Sequence, residues 1–382
     1  MEQKRQVSVI LCGMGGYGEN YIKEFLERDV LGSSLVAVVD PFASRSAFYQ
    51  QVVDAGIPLF NTLDQFYAQG SADLAIISSP IHTHSPYIMG ALSHGSNVLT
   101  EKPVCFKTEQ IVEMERKSAE TGLFVAVGYQ LCFSHDVLSL KKDIMDGVYG
   151  RLLRAKTIRL MRRNDIYYGR SSWAGALMCA GEPVYDSPFT NACAHQFQNM
   201  VFLVGPKMDE VKTVVSCEGS LIKVRPNITN CDTAALKFVT SGGASLYYYA
   251  SHAVEDTKIG PLSEYEFENG VVTEVSGGFV GRLSDGREID YTGIDKGERL
   301  EKLWECIRCV QEGRTPVCTL KTAREHTHAV LMAQKKGVVD LSSKAVSKVD
   351  EKGGVYYTLE NLSKALQEAY RDWRLPDPAM FS

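Results

Sequence analysis

Apolar positions run almost without interruption from Val7 to Cys12 and stop at three glycines, Gly13, Gly15 and Gly18; beyond them Ile22, Phe25 and Leu26 recur at helical spacing. A short β-branched run followed by a 3.6-residue period predicts a buried strand, a tight loop and a helix packed back on the strand. The same alternation continues with a strand over 35–40, a helix over 44–55, a short strand near 58–60 and a helix over 63–69. It then repeats as a strand over 73–79, a helix over 86–95, a strand from Asn97, a helix over 109–121 and a strand over 123–129. This grammar predicts a parallel sheet covered by helices on both faces. All strand carboxyl ends then share one edge, where ligands bind, and that edge collects Ser79, His84, Glu101, Lys102 and Tyr129.

Beyond Phe133 the pattern changes. After a helix over 136–145, polar and apolar residues alternate over 151–162, 209–217, 233–241, 244–252, 262–268 and 287–292. Period-two alternation predicts one large, mostly antiparallel sheet with helices on one face, and helical patterns at 296–311 and 319–335 close this second domain. The other face of such a sheet stays open unless a second subunit covers it, so a homo-oligomer, a dimer or tetramer, is expected through it. The tail from Tyr357 to Trp373 reads as one amphipathic helix that packs back on the first domain.

The three glycines form G-x-G-x-x-G. Gly13 lets the chain turn, Gly15 lets backbone approach a pyrophosphate, and Gly18 lets the helix press on the strand, with Gly16 and Tyr17 inside the loop. The helix N-terminus would face the phosphates. Asp40 ends the second strand 22 residues past Gly18, where a ribose 2′-hydroxyl is expected. Its carboxylate would repel a 2′-phosphate, which favours NAD, while Arg45 keeps NADP open. The competing readings are a glycine turn in an ordinary α/β sheet and a S-adenosylmethionine site. The fold class is therefore α/β, with a doubly wound Rossmann-type parallel sheet over 1–130, an α+β domain with a large open sheet over 131–345 and a helical extension over 346–382.

Composition removes several function classes. The formal charge is −5 over 382 residues, and no basic run would track a phosphate backbone, so no nucleic-acid partner is expected. The N-terminus enters the first strand at once, leaving no room for a signal peptide, and no apolar run approaches the roughly 20 residues that cross a bilayer. No membrane partner is expected, and the expected location is cytoplasmic. Ten cysteines are scattered, and Cys306 and Cys309, the one C-x-x-C, sit in a helical pattern among apolar residues and read as buried thiols. His326 and His328 are two apart on a helix and diverge, so no metal is implied.

The remaining chemistry clusters in the second domain. A helical pattern over 190–204 places Asn191, His195 and Asn199 four residues apart on one face of an otherwise apolar helix. Such a polar stripe needs partners, and a ligand rich in hydroxyls would supply them. An imidazole titrates near 6.5 and suits proton transfer at neutral pH, although a histidine satisfied in the core is the ordinary fate. Between Arg162 and Gly175 the chain is aromatic and cationic, with Tyr168, Arg170 and Trp173. Such rings stack on the C–H faces of sugars while Arg serves hydroxyls, against the alternative of a packed surface loop.

The ordered set Ser79-Pro80-Ile81-His82-Thr83-His84, Glu101-Lys102-Pro103 and Gly128-Tyr129-Gln130, each following a strand of a G-x-G-x-x-G domain, resembles the glucose-fructose oxidoreductase and inositol dehydrogenase family, Gfo/Idh/MocA. The resemblance implies NAD or NADP dependence, hydride transfer at a carbinol carbon, and a sugar, polyol or glycoside substrate. It carries Lys102 onto the family's active-site lysine and His195 onto its histidine. It places His84 near the nicotinamide end, and Ser79, Pro80 and Glu101 at the cofactor. Lys102 would supply positive charge to a developing alkoxide. The family has an aspartate four residues before the histidine, and here Asn191 stands in its place. An asparagine can hold the ring or a hydroxyl but cannot raise the histidine pKa by its charge, so the division of roles between His195 and Lys102 stays open. Asp186 is either the missing carboxylate or a loop-ordering residue. The expected substrate-contacting set is thus Tyr129, Tyr168, Arg170, Trp173, Asp186, Asn191 and His195, with Lys102, His195 and Asn191 in the chemistry. The second hypothesis is a glycosidase that retains NAD and oxidises its sugar only transiently, with Tyr129, Tyr168 or His195 as second acid or base and no net NADH.

Overall fold

Six short apolar segments, each too short to bury its own backbone, find hydrogen-bond partners only in one another. In a computed structural model, which describes residues 5–294 and 300–377, they form the sheet of the first of two compact units. This unit takes the chain as far as Phe133 and again in the segment ending at Arg324. The second unit takes up at Ser134 and again at Glu325.

The first unit contains β1 (Val7–Cys12), α1 (Gly18–Glu27), β2 (Ser33–Val39), α2 (Tyr49–Asp54), β3 (Leu59–Phe60), α3 (Leu63–Tyr67), β4 (Leu74–Ile77), α4 (His84–Ser93), β5 (Asn97–Thr100), α5 (Thr108–Thr121) and β6 (Val125–Val127). The strands are all parallel, in the order β3-β2-β1-β4-β5-β6. This is the doubly wound arrangement expected from the alternating pattern. Its topological switch lies between β1 and β4, at the glycine loop.

The second unit opens with α6 (His135–Met145), β7 (Leu152–Met161), α7 (Asp165–Tyr168), the two-residue strands β8 (Met178–Cys179) and β9 (Glu182–Pro183), and α8 (Ala194–Leu203). It continues with β10 (Val214–Lys223), β11 (Thr233–Thr240), β12 (Ser245–Ser251), β13 (Lys258–Phe267), β14 (Gly270–Val275), β15 (Gly278–Leu283) and β16 (Glu288–Asp290). Then come α9 (Glu301–Glu312), which belongs to the first unit, α10 (Leu320–Gln334), β17 (Val338–Asp340), β18 (Val346–Val349), β19 (Val355–Thr358) and α11 (Leu362–Arg371). The large sheet has nine strands in the order β16-β15-β14-β13-β7-β12-β11-β10-β17. Its pairings are antiparallel except β7 with β12 and β10 with β17.

Three expectations change. The helical pattern expected over 296–311 does not close the second domain. Its first residues, 296–299, lie outside the described residues, and α9 buries Leu303, Cys306, Ile307 and Val310 against Val7, Val9 and Leu99 of the first unit. The apolar stripe of α9 fits the sheet face that β1 and β5 expose. The tail is not one helix: β18 and β19 form a hairpin, and only Leu362–Arg371 is helical. That helix, expected on the first domain, packs within the second unit. α11 covers the face of the large sheet at Ile158, Leu160, Ala235 and Tyr249, whose hydroxyl donates to the carbonyls of Ala369 and Arg374. The sheet face expected to be open is therefore partly closed by the chain's own C-terminus, while Leu262, Val271 and Val275 on that face stay exposed. Cys306 and Cys309 are free buried thiols, as expected, and burial pushes Cys309 up to about 12. Among the described residues no helix is long and apolar enough to cross a membrane.

Candidate active site

The glycine loop is built by close backbone approach. The Gly13 amide donates to the carbonyl of Val39 and the Ser78 amide to that of Cys12, which draws three strand ends together. Gly13 has φ +89°, and a Cβ there would lie 2.8 Å from the Ser79 nitrogen. A Cβ on Gly18 would lie 2.2 Å from the Gly13 carbonyl oxygen, so the first turn of α1 presses on the loop as the motif predicts. Side chains on Gly15 or Gly16 would meet nothing within 4 Å, and both residues are exposed. The loop is thus tight where it touches the protein and bare where a pyrophosphate would approach. Asp40 stands beside it: Oδ2 accepts from the Met14 amide at 2.9 Å and Oδ1 from the Phe42 amide at 2.8 Å. These residues fit a dinucleotide. Arg45 is exposed and stacks over Phe42 at 4.4 Å.

Other residues expected on this edge have internal partners. His84 is buried, with Nε2 2.8 Å from the Ser79 carbonyl and Nδ1 2.9 Å from the Pro103 carbonyl. Burial lowers its pKa, against the effect of those carbonyls. Both ring nitrogens are engaged, so His84 joins the loop after β4 to the loop after β5, where Lys102 stands. Ser79 accepts a hydrogen bond from Thr83 at 2.7 Å, and Pro80 is exposed at the start of this turn. Glu101, 8% exposed, accepts from the Tyr21 hydroxyl at 2.6 Å and pairs with Lys302 of α9, itself 1% exposed. The Tyr17 ring lies 4.4 Å from the Lys302 ammonium. Burial opposes both charges, yet their mutual attraction holds Glu101 below and Lys302 above their ordinary ranges. Tyr129 is buried, and burial beside Cys318 and Cys132 pushes its phenol far above 10, which argues against a role as acid or base. Lys102 remains half-exposed two residues past β5.

In the second unit Ser187 and Thr190 form a reciprocal cap that starts a π-helical turn over Pro188–Ala192, and α8 begins only after Cys193. The wide turn breaks the fourfold repeat expected from the sequence, which holds only between His195 and Asn199 inside α8. Asn191, in the turn, donates its amide to Asp186 Oδ1 at 2.9 Å. Asp186 is buried; its Oδ2 takes the Gly175 amide at 2.7 Å and faces Arg170 at 3.4 Å. Asp186 thus holds both its own loop and the Asn191 amide. Tyr168 places its hydroxyl 3.0 Å from His252 Nδ1, and Arg170 stacks over Tyr167 at 3.8 Å and Trp173 at 4.9 Å.

Sequence reading did not single out Lys302, Arg225 or His252. A signal existed for Lys302, a lysine sharing a helix face with Cys306 and Cys309. None existed for His252, which follows β12 and reaches Tyr168 only through the fold.

A glycine cradle at the switch point of a six-stranded parallel sheet, with a carboxylate at the end of β2, defines a Rossmann-type dinucleotide-binding protein. Residues 7–129 match the family described as oxidoreductases with an NAD-binding Rossmann fold, GFO_IDH_MocA. Over these residues the chain is similar to the Gfo/Idh/MocA oxidoreductase family. It is similar to 2,7-anhydro-N-acetylneuraminate hydratase of Mediterraneibacter gnavus, 28% identical over 155 residues, 41% of this chain and 40% of that protein. It is also similar to inositol 2-dehydrogenase of Rhodococcus jostii, 27% identical over 163 residues, 41% of this chain and 43% of that protein. The chain thus spans about two fifths of the length of these relatives. Among solved structures, the WlbA dehydrogenase of Bordetella pertussis, in complex with NADH and UDP-GlcNAcA, has a TM-score of 0.70 at 21% identity, over 86% of this chain and 95% of that one. An aldose-aldose oxidoreductase of Caulobacter crescentus, complexed with glycerol, gives 0.69 at 17% identity, over 87% and 98%. The two structural likenesses establish the fold of both units.

Proposed function

We propose that the protein is an NAD(P)-dependent oxidoreductase that moves a hydride between nicotinamide and a secondary hydroxyl of a sugar, polyol or glycoside. The observation that carries this reading is the loop closed by Gly13 and Gly18, bare at Gly15 and Gly16, with the Asp40 carboxylate beside it. A bound nicotinamide dinucleotide would supply the redox chemistry. Lys102 provides positive charge for the oxygen as alkoxide character develops, just past a strand whose following loop is held by His84. His195, in the first turn of α8, exchanges the hydroxyl proton. Asn191, fixed by Asp186, serves as an amide for neighbouring hydroxyls. Tyr168, Arg170 and Trp173 contribute ring faces and donors for a carbohydrate.

Asp40 favours NAD over NADP because its charge would face a 2′-phosphate. Asp40→Ser is expected to weaken NAD and strengthen NADP, moving the affinity ratio at least about tenfold, since like-charge contacts cost several kcal/mol. Fluorescence titration with both reduced cofactors checks this, and an unchanged ratio refutes the role of Asp40.

A second reading has the cofactor regained within each turnover, with no net redox change. The similarity to a hydratase favours it, because adding or removing water changes no overall oxidation state. Absorbance at the reduced-nicotinamide band, with NAD and a panel of polyols, free sugars and glycosides, separates the two. A steady rise supports the dehydrogenase, substrate conversion without a rise supports the second reading, and neither with any member refutes both.

A further inference from the structure

The segment after β7 and the turn after β12 hold charges that the proposed hydride chemistry does not use. His252 is 3% exposed. Its Nδ1 faces the Tyr168 hydroxyl at 3.0 Å, and that phenol has no other hydrogen-bond partner among the described residues. With no other acceptor in reach among these residues, the phenol places its hydrogen on Nδ1, the one arrangement that leaves neither unpaired. Burial, and then the charges of Arg163, Arg170 and Arg225, hold the imidazole neutral. The ring therefore carries its single proton on Nε2, which is buried with no hydrogen-bond partner among the described residues.

Arg163 is in the same condition. Its backbone amide donates to the His252 carbonyl, so the two residues are adjacent. Its guanidinium lies over the Tyr167 ring at 4.7 Å, has no carboxylate in ion-pair reach among the described residues, and buries an Nε without an acceptor. Arg225, buried, stacks over Tyr168 at 4.5 Å and donates to the Val355 carbonyl at 3.1 Å. The acids beside this group are Asp186 and Asp232, and both spend oxygens on backbone amides: Asp186 on Gly175, Asp232 on Val224 and Arg225. Three guanidiniums against two carboxylates leave one positive charge and two buried donors with nothing to donate to. Buried donors in folded proteins are satisfied, and an unmade bond to a charged group is costly.

We infer that Arg163 and His252, with Arg170 at their side, receive a carboxylate of the substrate, so that the ligand is a sugar acid rather than a neutral polyol. A single excess positive charge matches a monoanion, and a guanidinium with an imidazole N–H can bond both carboxylate oxygens. Asp186 connects this group to the proposed chemistry, since it holds Arg170 on one oxygen and Asn191 on the other. This inference rests on the proposed function, because it names the substrate class of the same site.

The test is ligand-detected NMR titration of the full chain saturated with NADH, using the matched pairs D-glucuronate with D-glucose and D-galacturonate with D-galactose, and inorganic phosphate as a competitor. The acids are expected to bind about tenfold or more tightly than their neutral partners, as one charge-assisted bond provides. Arg163→Met should collapse that preference, and Arg163→Lys should restore part of it, which separates a lost charge from a misfolded loop. Equal binding of acid and neutral sugars, or a preference unchanged in Arg163→Met, overturns the inference and leaves the proposed oxidoreductase standing. Phosphate displacing the acids at equal concentration overturns the assignment to a carboxylate. Failure of every sugar to bind, with NADH bound normally, overturns the sugar reading and this inference with it.

Discussion

Lys102→Ala and His195→Ala are each expected to lower kcat by ~10²–10⁴, the range by which a positioned acid, base or charge accelerates proton and alkoxide chemistry. Lys102 stands two residues past β5, on the sheet edge where the glycine loop lies, and the residue after it is tied to His84. His195 stands in the first turn of α8, directly after a wide turn capped by Ser187 and Thr190. Both side chains are carried by elements held from several sides, so truncating either removes its own chemistry and little else. The variants should keep dinucleotide affinity within a few-fold for His195→Ala, with the loss in kcat rather than in KM. Steady-state kinetics on any substrate found by the panel assay provides the check. Turnover within a few-fold of the parent in both variants would remove these residues from the chemistry.

Lys302→Met is expected to cost about 3–5 kcal/mol of stability, because it leaves Glu101 buried without its cation. The pair lies inside the first unit with Tyr21 donating to the same carboxylate. In the parent, Glu101 lies below its ordinary range and Lys302 above its own. The contribution of Glu101 is therefore present above about pH 4.5 and lost as pH falls through its lowered value. That of Lys302 is present below about pH 10.5 and lost as pH rises through its raised value. In Lys302→Met burial raises the Glu101 pKa instead. The deficit then appears as pH climbs above about 4.5 and shrinks toward it, because the folded state can take up the proton. Urea unfolding of parent and variant at several pH values measures this. The double variant Glu101→Gln with Lys302→Met should recover most of the loss, and a pH-independent deficit of under about 1 kcal/mol would show that the pair matters little.

Much of the second sheet was readable from alternation alone, yet β14 and β15 were not. Their stretch carries Gly270, Gly277, Gly278 and Gly281, which read as breakers. The fold uses Gly281 because the Tyr149 hydroxyl packs where its Cβ would be, only 1.9 Å away. β10 was expected over 209–217 and forms at Val214–Lys223, where pairing with β11 sets the register. Pairing partners far along the chain, not local propensity, decide where such strands begin.

The sequence by itself determined what depends on neighbours within a few residues. The strand, loop and helix at Gly13, Gly15 and Gly18, the carboxylate of Asp40 at the next strand end, the six parallel strands and the motif around Lys102 all follow from short spacings, because backbone sterics and side-chain period act locally. Only the tertiary structure decided what depends on burial and on long-range pairing. It assigned α9 to the first unit, set Lys302 on Glu101 across 201 residues, interrupted the polar stripe with a π-helical turn at Asn191, and brought His252 to Tyr168 across 84. The first of these is apolar burial; the contacts of Lys302, Asn191 and His252 join charges and polar groups removed from water. Their strength comes from the low dielectric that the folded chain itself creates, so the sequence pattern, even where it sets Lys302 on a buried helix face, does not name the partner.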